Sequence, residues 1–441
     1  MKIKPISEKA KSASKVSSRS HLRECTPRLR FPGFEGAWSA EYFDDVATGF
    51  EYGLNAAAVD FDGVHKYIRI TDIDDTSHKF IGSPVVSPAG EIDEKYRVRP
   101  NDILLARTGA STGKSYLYDS SDGELYFAGF LIRASVKPEY DARFVFYSTC
   151  TPPYRRWVNM ISMRSGQPGI NADEYSRYNL NIPTHSEQVQ IGTFLALLDS
   201  KITAQHKLVE LLKKHKRGLV QDLFTGELSK LPRRRFGGFK DAWISRSFDE
   251  VFSFLKNNTL PRSEMTTVGG IIRNVHYGDV LIKYGDVLDC NRNQIPFLVS
   301  DKQSDDCRLL QDGDVVIADT AEDEAVGKAV ELVGVANKLI ESGLHTIACR
   351  PKIPFASRFL GYYLNSTAYR RQLLPLMQGI KVLSLSKSQL GKTQLHFPSN
   401  INEQKRIAEL LAGIDALIVV AELHLDKMQS LKTGLLQQLF V

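Results

Sequence analysis

The segment of this 441-residue chain with the most reactive residue types is GASTGKS, residues 109–115. Glycines, a lysine and hydroxyl side chains are what a phosphate-binding loop uses to cradle a triphosphate and its Mg²⁺. Such a loop, however, has four residues between its first glycine and its Gly-Lys pair, and only three separate Gly109 from Gly113. The spacing favours a glycine-containing turn between two strands, whose exposed tip could instead contact DNA.

An internal repeat provides a second test of that loop. PRLRFPGFEGAW (27–38) returns as PRRRFGGFKDAW (232–243), and EQVQIGTFLALLDSKI returns further along as EQKRIAELLAGIDALI. The second copy of the loop, TAEDEAVGKA (320–329), has no first glycine and carries three carboxylates that would repel a triphosphate. Ala329 also stands where Mg²⁺ would need a hydroxyl. The repeat therefore argues against nucleotide binding.

Thr151-Pro-Pro-Tyr154 is a second segment that could bind a ligand. It is close to the pocket in which amino-methyltransferases hold a flipped base, but those enzymes have Asn, Asp or Ser in the first place and a glycine-rich cofactor loop. This sequence shows neither. The matching segment of the second half, Tyr369-Arg-Arg371, has no prolines before it. We interpret the prolines as a helix start or kink.

Composition excludes several classes of protein. Ten histidines and five cysteines show no metal-ligand or disulfide spacing, so the sequence predicts no metal site and suits a reducing cytoplasm. No apolar run reaches the length of a membrane span. The net charge of +6 is compatible with nucleic acid and equally with acidic protein partners. Residues 1–24, rich in Lys and Ser, are predicted to form a disordered basic tail.

Cationic and amide side chains recur at matching places in the two halves. Arg and Gln can make bidentate contacts to guanine and adenine edges, and Lys can contact phosphates. The candidates for DNA contact are Arg107, Thr108, Ser111, Lys114, Arg155, Arg156, Arg164, Gln167, Lys328, Arg370, Arg371, Gln378 and Lys381. Each cluster taken alone is more typical of a solvated helix face than of a DNA contact, and no catalytic set emerges.

The segments that must position these residues include two long helices with heptad spacing. The first apolar stripe comprises Leu195, Leu198, Ile202, Gln205, Val209, Leu212, Lys216, Leu219 and Leu223, and the second comprises Leu411, Ile414, Ile418, Ala421, Leu425, Met428, Lys432, Leu435 and Leu439. The predicted helices, 187–224 and 403–440, would each be roughly 57 Å long. If each variable region lies near the helix start that it precedes, the helices pair antiparallel, with those regions at opposite ends of a rod. Packing of both stripes onto the globular regions is the alternative.

The remaining sequence predicts two similar globular α+β or α/β regions separated by these helices. The predicted boundaries are 25–185 and 227–401 for the globular regions and 186–226 and 402–441 for the helices. Predicted strands include Asp102–Ala106 and Val280–Ile282, and predicted shorter helices span Arg143–Met160 and Ser357–Met377.

The paired PRLRF and PRRRF segments, the helix starts IP-x(3)-EQ and FP-x(4)-EQ, and the segments YIRITDID, NDILLARTGASTGK, HYGDVLI and GDVVIADT together resemble the specificity subunit of type I restriction–modification enzymes. The resemblance extends over nearly the whole chain from about residue 25. It implies that each target recognition domain recognises one half of a split, asymmetric double-stranded DNA sequence. It further implies that the helix pair sets the gap and binds two modification (methyltransferase) subunits, to which restriction subunits attach.

The same resemblance implies no catalysis by this chain, so S-adenosylmethionine, ATP and Mg²⁺ would belong to the partner subunits. Two alternatives stay open. One is an orphan DNA-binding or assembly protein without restriction partners, and the other is a nucleotide-binding enzyme that uses the 109–115 loop. The target sequence itself does not follow from any of these residues.

Overall fold

The computed structural model describes residues 26–163, 166–225, 231–300 and 302–441. The predicted tail, residues 1–24, and Arg164 lie outside these ranges. The chain divides into two compact units: Met1–His206 with Leu423–Val441, hereafter unit 1, and Lys207–Glu422, hereafter unit 2. No helix within the described ranges is both long and apolar enough to cross a membrane.

Unit 1 is a mixed α and β structure. Its strands are β1 (Ser39–Tyr42), β2 (Ala47–Tyr52), β3 (Ala58–Asp60), β4 (Lys66–Ile68), β5 (Val86–Pro88), β6 (Asp102–Ala106), β7 (Ser115–Leu117), β8 (Leu125–Phe127), β9 (Leu131–Val136) and β10 (Asn179–Ile182). Its helices are α1 (Phe43–Val46), α2 (Ala142–Ser148), α3 (Pro152–Ile161) and α4 (Ala172–Ser176), followed by α5 (His185–Leu223), which continues into unit 2. The main sheet has the order β2-β9-β6-β7 and is antiparallel, β1 pairs with β10, and β4 runs parallel to β8.

Unit 2 repeats this plan with longer connections. Its strands are β11 (Trp243–Ser247), β12 (Phe252–Leu255), β13 (Met265–Thr266), β14 (Ile272–Val275), β15 (Val287–Asp289), β16 (Phe297–Leu298), β17 (Val315–Ala318), β18 (Thr320–Ala321), β19 (Ala329–Val333), β20 (Leu339–Ser342), β21 (Thr346–Pro351), β22 (Leu383–Ser384) and β23 (Gln394–Pro398). Its helices are α6 (Phe248–Val251), α7 (Tyr277–Ile282), α8 (Phe359–Asn365), α9 (Thr367–Arg370), α10 (Lys387–Gly391) and α11 (Ile401–Leu439). The sheet order β12-β21-β17-β19 matches β2-β9-β6-β7.

Three local predictions were wrong. Val280–Ile282 is helical, not a strand, because the His276 ring accepts a hydrogen bond from the Gly278 amide and starts α7, which buries Val280 and leaves Ile282 89% exposed. The single helix predicted over Arg143–Met160 is divided into α2 and α3 at Pro152. The helix predicted over Ser357–Met377 is divided in the same way, at Ser366, whose side chain caps α9.

The prediction of paired antiparallel long helices is confirmed within each unit. In unit 2, Lys213 of α5 binds Glu422 of α11 at 2.9 Å and Lys216 binds Asp415 at 2.6 Å, so partners run in opposite directions. In unit 1 the apolar cluster around Leu195 contains residues from the last turns of α11. Every predicted position of both stripes is buried or half-buried. The alternative also holds in part, because Leu195, Leu219 and Leu411 belong to the apolar clusters of the globular units.

The contact line between the paired helices, hereafter the seam, contains an equivalent Lys-Asp-Tyr triad in each unit. In unit 1, Lys432 binds Asp199 at 2.7 Å, and the Tyr147 hydroxyl donates to the same carboxylate at 2.8 Å. In unit 2, Lys216 binds Asp415, and the Tyr362 hydroxyl donates to Asp415 at 2.8 Å. The tyrosines come from α2 and α8, so each triad joins a short helix of the globular region to the paired long helices.

A buried ion pair joins the other repeated segments. Arg30 of PRLRF binds Glu187 of α5 through both carboxylate oxygens, each at 2.8 Å, and Arg235 of PRRRF binds Glu403 of α11 at 2.7 and 2.8 Å. The glutamates are at most 1% exposed. Bidentate geometry makes these pairs strong, and loss of one partner would leave a buried charge.

The next residue of each helix repeats a second contact. Gln188 donates to the Pro183 carbonyl at 2.9 Å and accepts from the Asp141 amide at 3.0 Å. Gln404 donates to the Pro398 carbonyl at 2.9 Å and accepts from the Ala356 amide at 3.0 Å. The Glu-Gln pair that the two halves share therefore fastens each long helix to the unit in which it begins.

We expect Arg30→Ala to lower the free energy of unfolding of unit 1 by roughly 3 kcal/mol, because it leaves the Glu187 carboxylate buried without its partner. Arg235→Ala should have the same effect on unit 2. Hydrogen exchange measured residue by residue distinguishes the units. Arg28→Ala and Arg233→Ala are matched controls, since both side chains are exposed, and they should change neither unit. Equal loss of protection in both units from one substitution would contradict this assignment.

Candidate nucleic-acid interface

The loop that follows β6 in unit 1 is fixed by backbone hydrogen bonds to two neighbouring segments. The Arg107 amide donates to the Phe130 carbonyl at 3.0 Å, and the Ile170 amide donates to the Arg107 carbonyl at 2.9 Å. The Gly109 amide donates to the Pro168 carbonyl at 3.0 Å. The sequence-distant loops 107–114 and 166–170 therefore lie side by side, although they are joined by no regular strand.

Unit 2 has the same arrangement after β17. The Asp319 amide donates to the His345 carbonyl at 3.1 Å, and the Leu385 amide donates to the Asp319 carbonyl at 2.8 Å. Residues 319–328 and 377–385 are thus equivalent to the two loops of unit 1. Arg107 and Asp319 occupy the same place in this frame but have opposite charges.

The lysine of each Gly-Lys pair supports the loop from inside. Lys114 donates to the Ile73 carbonyl at 2.9 Å and forms an ion pair with Asp75, and its side chain is only 11% exposed. Lys328 donates to the Leu281 and Tyr284 carbonyls at 2.9 and 2.7 Å. Burial lowers the pKa of the Lys328 ammonium. Both ammonium groups therefore donate hydrogen bonds to main-chain carbonyl oxygens.

The glycine before each lysine is also required by the structure of the loop. Gly113 and Gly327 have φ of +88° and +81°, and a Cβ atom would lie 2.6 Å from the Val158 side chain or 2.8 Å from that of Leu373. Both contacts come from the segment that follows the matching Tyr-Arg-Arg motif. The residues of the 109–115 loop therefore do not fit a triphosphate: its lysine is engaged and its second glycine is covered by a side chain.

Arg370 is half-buried and also supports the loop from inside. Its Nη2 donates to the Val326 carbonyl at 3.0 Å and to the Glu324 carbonyl at 2.5 Å. Burial lowers its pKa. Lys114, Lys328 and Arg370 were predicted as DNA contacts, and the structure shows them holding loops, so we correct that assignment. Sequence alone could not reveal this, because their acceptors are carbonyls from distant segments.

The other predicted residues divide by exposure. Six side chains are exposed: Arg155, Arg156, Gln167, Arg371, Gln378 and Lys381. Arg107, Thr108 and Ser111 are half-buried in the loop of unit 1. Arg164 lies outside the described residues. Arg155 and Arg156 lie on α3, which begins at the Thr151 cap and the two prolines, as predicted for this segment.

Three residues near these loops were missed. Tyr52, at the end of β2, lies under the Arg107 guanidinium, whose centre is 4.7 Å from the ring centroid. Asp319 and His345 face each other in unit 2, with His345 Nδ1 3.4 Å from the Asp319 carboxylate. Alignment of the two loop copies would have shown Asp319 opposite Arg107, but no sequence signal connects Tyr52 to Arg107 across the intervening residues.

Comparison with known proteins finds similarity to one family. A family model for the type I restriction modification DNA specificity domain matches residues 54–214. The type I restriction enzyme MjaVIII specificity subunit of Methanocaldococcus jannaschii is 24% identical over 360 residues, with 78% of this chain and 79% of that protein covered. These matches support the resemblance of the chain to type I restriction–modification specificity subunits. The putative MjaX specificity subunit of the same organism is 22% identical over 415 residues, covering 91% and 92%.

Two solved structures have the same fold as this chain. The S subunit of a type I restriction–modification system from M. genitalium matches with a TM-score of 0.59 at 15% identity, covering 95% of this chain and 99% of that one. A chain from work on complex assembly and conformational transition of the type I R-M system matches with a TM-score of 0.52 at 17% identity, covering 94% and 99%. The predicted fold class is thereby confirmed.

We expect Lys114→Ala to destabilise unit 1 by about 2 kcal/mol, because the Ile73 carbonyl and Asp75 lose a charged partner. Thermal unfolding measures this loss. Ser111→Ala, in the same loop and half-buried, is the control and should change stability little. ATP hydrolysis by the purified chain, abolished by Lys114→Ala but not by Ser111→Ala, would contradict the structural role.

Proposed function

We propose that this specificity subunit directs a type I restriction–modification complex to a bipartite, asymmetric DNA target, with each unit recognising one half. The observation that supports it is the repeat in three dimensions. The ion pairs, the glutamine contacts and the loop frame recur in both units with near-identical distances, whereas the exposed side chains on the equivalent loops differ. A constant frame with different surfaces suits recognition of two different half-sites.

In this proposal the paired helices set the number of base pairs between the half-sites. Two linked weak binding sites gain affinity when their connection holds them at the required separation. A helical connection restricts that separation more than a flexible linker does. Half-sites about one turn of DNA apart, roughly 34–36 Å, would present their major grooves on one face of the duplex.

The proposal also assigns the chemistry to other subunits. Two modification (methyltransferase) subunits would bind the long helices, and restriction subunits would attach to them. S-adenosylmethionine, ATP and Mg²⁺ would bind there, since the one nucleotide-like loop of this chain does not fit a triphosphate. Relatives in this family are generally non-catalytic, and we extend that to this chain. We also place the complex in the cytoplasm, with the DNA that it would modify.

Modified positions in a host genome would display the target directly. We expect methylome sequencing to find a split motif in a host that expresses the chain with its methyltransferase and none in a host that lacks the chain. Replacement of residues 40–180 by the corresponding region of another specificity subunit should change one half of the motif and leave the other. A change in both halves would contradict independent recognition, and absence of any chain-dependent motif would favour an orphan assembly protein.

The helix pair gives a separate prediction. Insertion of one heptad into α5 after Gln205 and one into α11 after Ala421 adds about 10 Å at 1.5 Å per residue while preserving the apolar stripes. The gap between half-sites should grow by about three base pairs, with both half-sites unchanged. A control with seven residues inserted in the exposed segment around Gly237 should leave the gap as it was. An unchanged gap in the helix variant would exclude the helices as spacer.

A further inference from the structure

The two loop frames differ most at one equivalent position, Arg107 in unit 1 and Asp319 in unit 2. Both residues directly follow the last residue of the central strand, and both are held by two backbone hydrogen bonds of the same pattern. The position is therefore fixed by the main chain and does not depend on its side chain. Such a position can change chemistry without disturbing the fold.

The guanidinium of Arg107 is held in place before any ligand binds. It lies over the Tyr52 ring, and the Tyr52 hydroxyl accepts a hydrogen bond from the Ala172 amide at 3.2 Å, which fixes the ring. Nη1 donates to the Gly129 carbonyl at 3.3 Å. Within the described ranges, Nε and Nη2 of Arg107 have no hydrogen-bond partner. Next to it Phe130 is 62% exposed.

Asp319 is equally constrained but offers an acceptor. Its Oδ1 accepts from the Thr320 hydroxyl at 2.8 Å and lies 3.4 Å from His345 Nδ1. Its Oδ2 accepts no hydrogen bond from any residue that the structure describes. The carboxylate side chain is 27% exposed and the His345 ring 46%. One oxygen is thus positioned by the protein while the other is available to a donor outside it.

We propose that this position determines base specificity in each unit, Arg107 by donating to a guanine edge and Asp319 by accepting from an exocyclic base amino group. The inference rests on the proposed function. Arginine matches the O6 and N7 acceptors of guanine in the major groove, and a carboxylate matches the N4 amino group of cytosine. The N6 amino group of adenine has the same donor chemistry, and the experiment distinguishes the two bases.

Neither side chain is explained by the frame itself. The frame bonds use main-chain atoms, so the frame accepts another residue at either position. The side chains add local contacts only, from Arg107 to Gly129 and from Thr320 to Asp319. A carboxylate in Asp319's place would also repel DNA phosphates, whereas a base amino group is a donor that it can accept from. In DNA, Asp319 can therefore contact a base but not a phosphate. This distinguishes the position from a site that binds the phosphate backbone of any sequence.

The test is selection of bound duplexes from a random pool by the full chain with the subunits that purify with it. The natural chain is compared with Asp319→Asn, which keeps the shape of the side chain, and with Arg107→Gln, which has a shorter side chain that still donates. The side-chain amides of Gln and Asn favour adenine through N6 and N7. Arg177→Gln and Asp305→Asn are controls, because Arg177 is exposed on α4's end and Asp305 is exposed outside the loop frame.

Each substitution should change one base of one half-site only: guanine to adenine for Arg107→Gln, and cytosine to adenine for Asp319→Asn. Discrimination at that base should change on the order of ten- to a hundredfold, with the other half-site and the controls unaffected. If the natural chain already selects adenine in the half-site of unit 2, Asp319→Asn should keep adenine. The change in discrimination at that base should then be smaller than in the case of cytosine.

Two results would overturn the inference. Unchanged half-sites in both variants, with a split target still selected by the natural chain, would remove the assignment and leave the proposed function intact. A uniform loss of affinity for all sequences would make Arg107 a phosphate contact. If the natural chain and its subunits select no sequence, the proposed function fails together with the inference.

Discussion

The bidentate Arg-Glu pair at the start of each long helix is the interaction on which the rest of the structure depends. It joins the first segment of a repeat half to the last, Arg30 to Glu187 and Arg235 to Glu403. The glutamates are inaccessible, so their charge is tolerable only with the arginine present. Each pair links the two ends of a unit whose core contains the central sheet. The adjacent glutamine orients the long helix that begins at this point.

These pairs illustrate how the two units share some contacts and differ in others. Contacts made by backbone atoms or by buried charged groups recur in both units, down to the lysine that supports each loop. The exposed residues of the loops are under no such constraint. The same frame therefore carries a cation on an aromatic ring in one unit and a carboxylate beside a histidine in the other.

Much of the fold could be predicted from the sequence because its signals are local or repeated. Heptad spacing gave both long helices, and the match between the halves exposed the phosphate-loop similarity as misleading. Residues whose partners are distant in sequence could not be placed. Lys114 and Lys328 find carbonyl acceptors 41 and 47 positions away, so their exposure and role depend on folding. Val280–Ile282 was misjudged because three apolar residues suit a strand or one helical turn equally.

The lysine in each helix stripe has a consequence for how the helices choose a partner and a direction. Lys216 and Lys432 stand at the same point of the two stripes, so a parallel pairing in register would bring two ammonium groups together inside the seam. Antiparallel pairing instead gives each lysine an aspartate, Asp415 or Asp199. In unit 2, Asp286 is a second carboxylate that pairs with Lys216. Burial alone would lower the pKa of Lys216, but the two carboxylates raise that pKa overall. A polar group within an apolar seam costs stability and selects orientation. The two lysines thus specify the direction in which the helices pair. A shift of one helix by one heptad would separate both lysines from their aspartates.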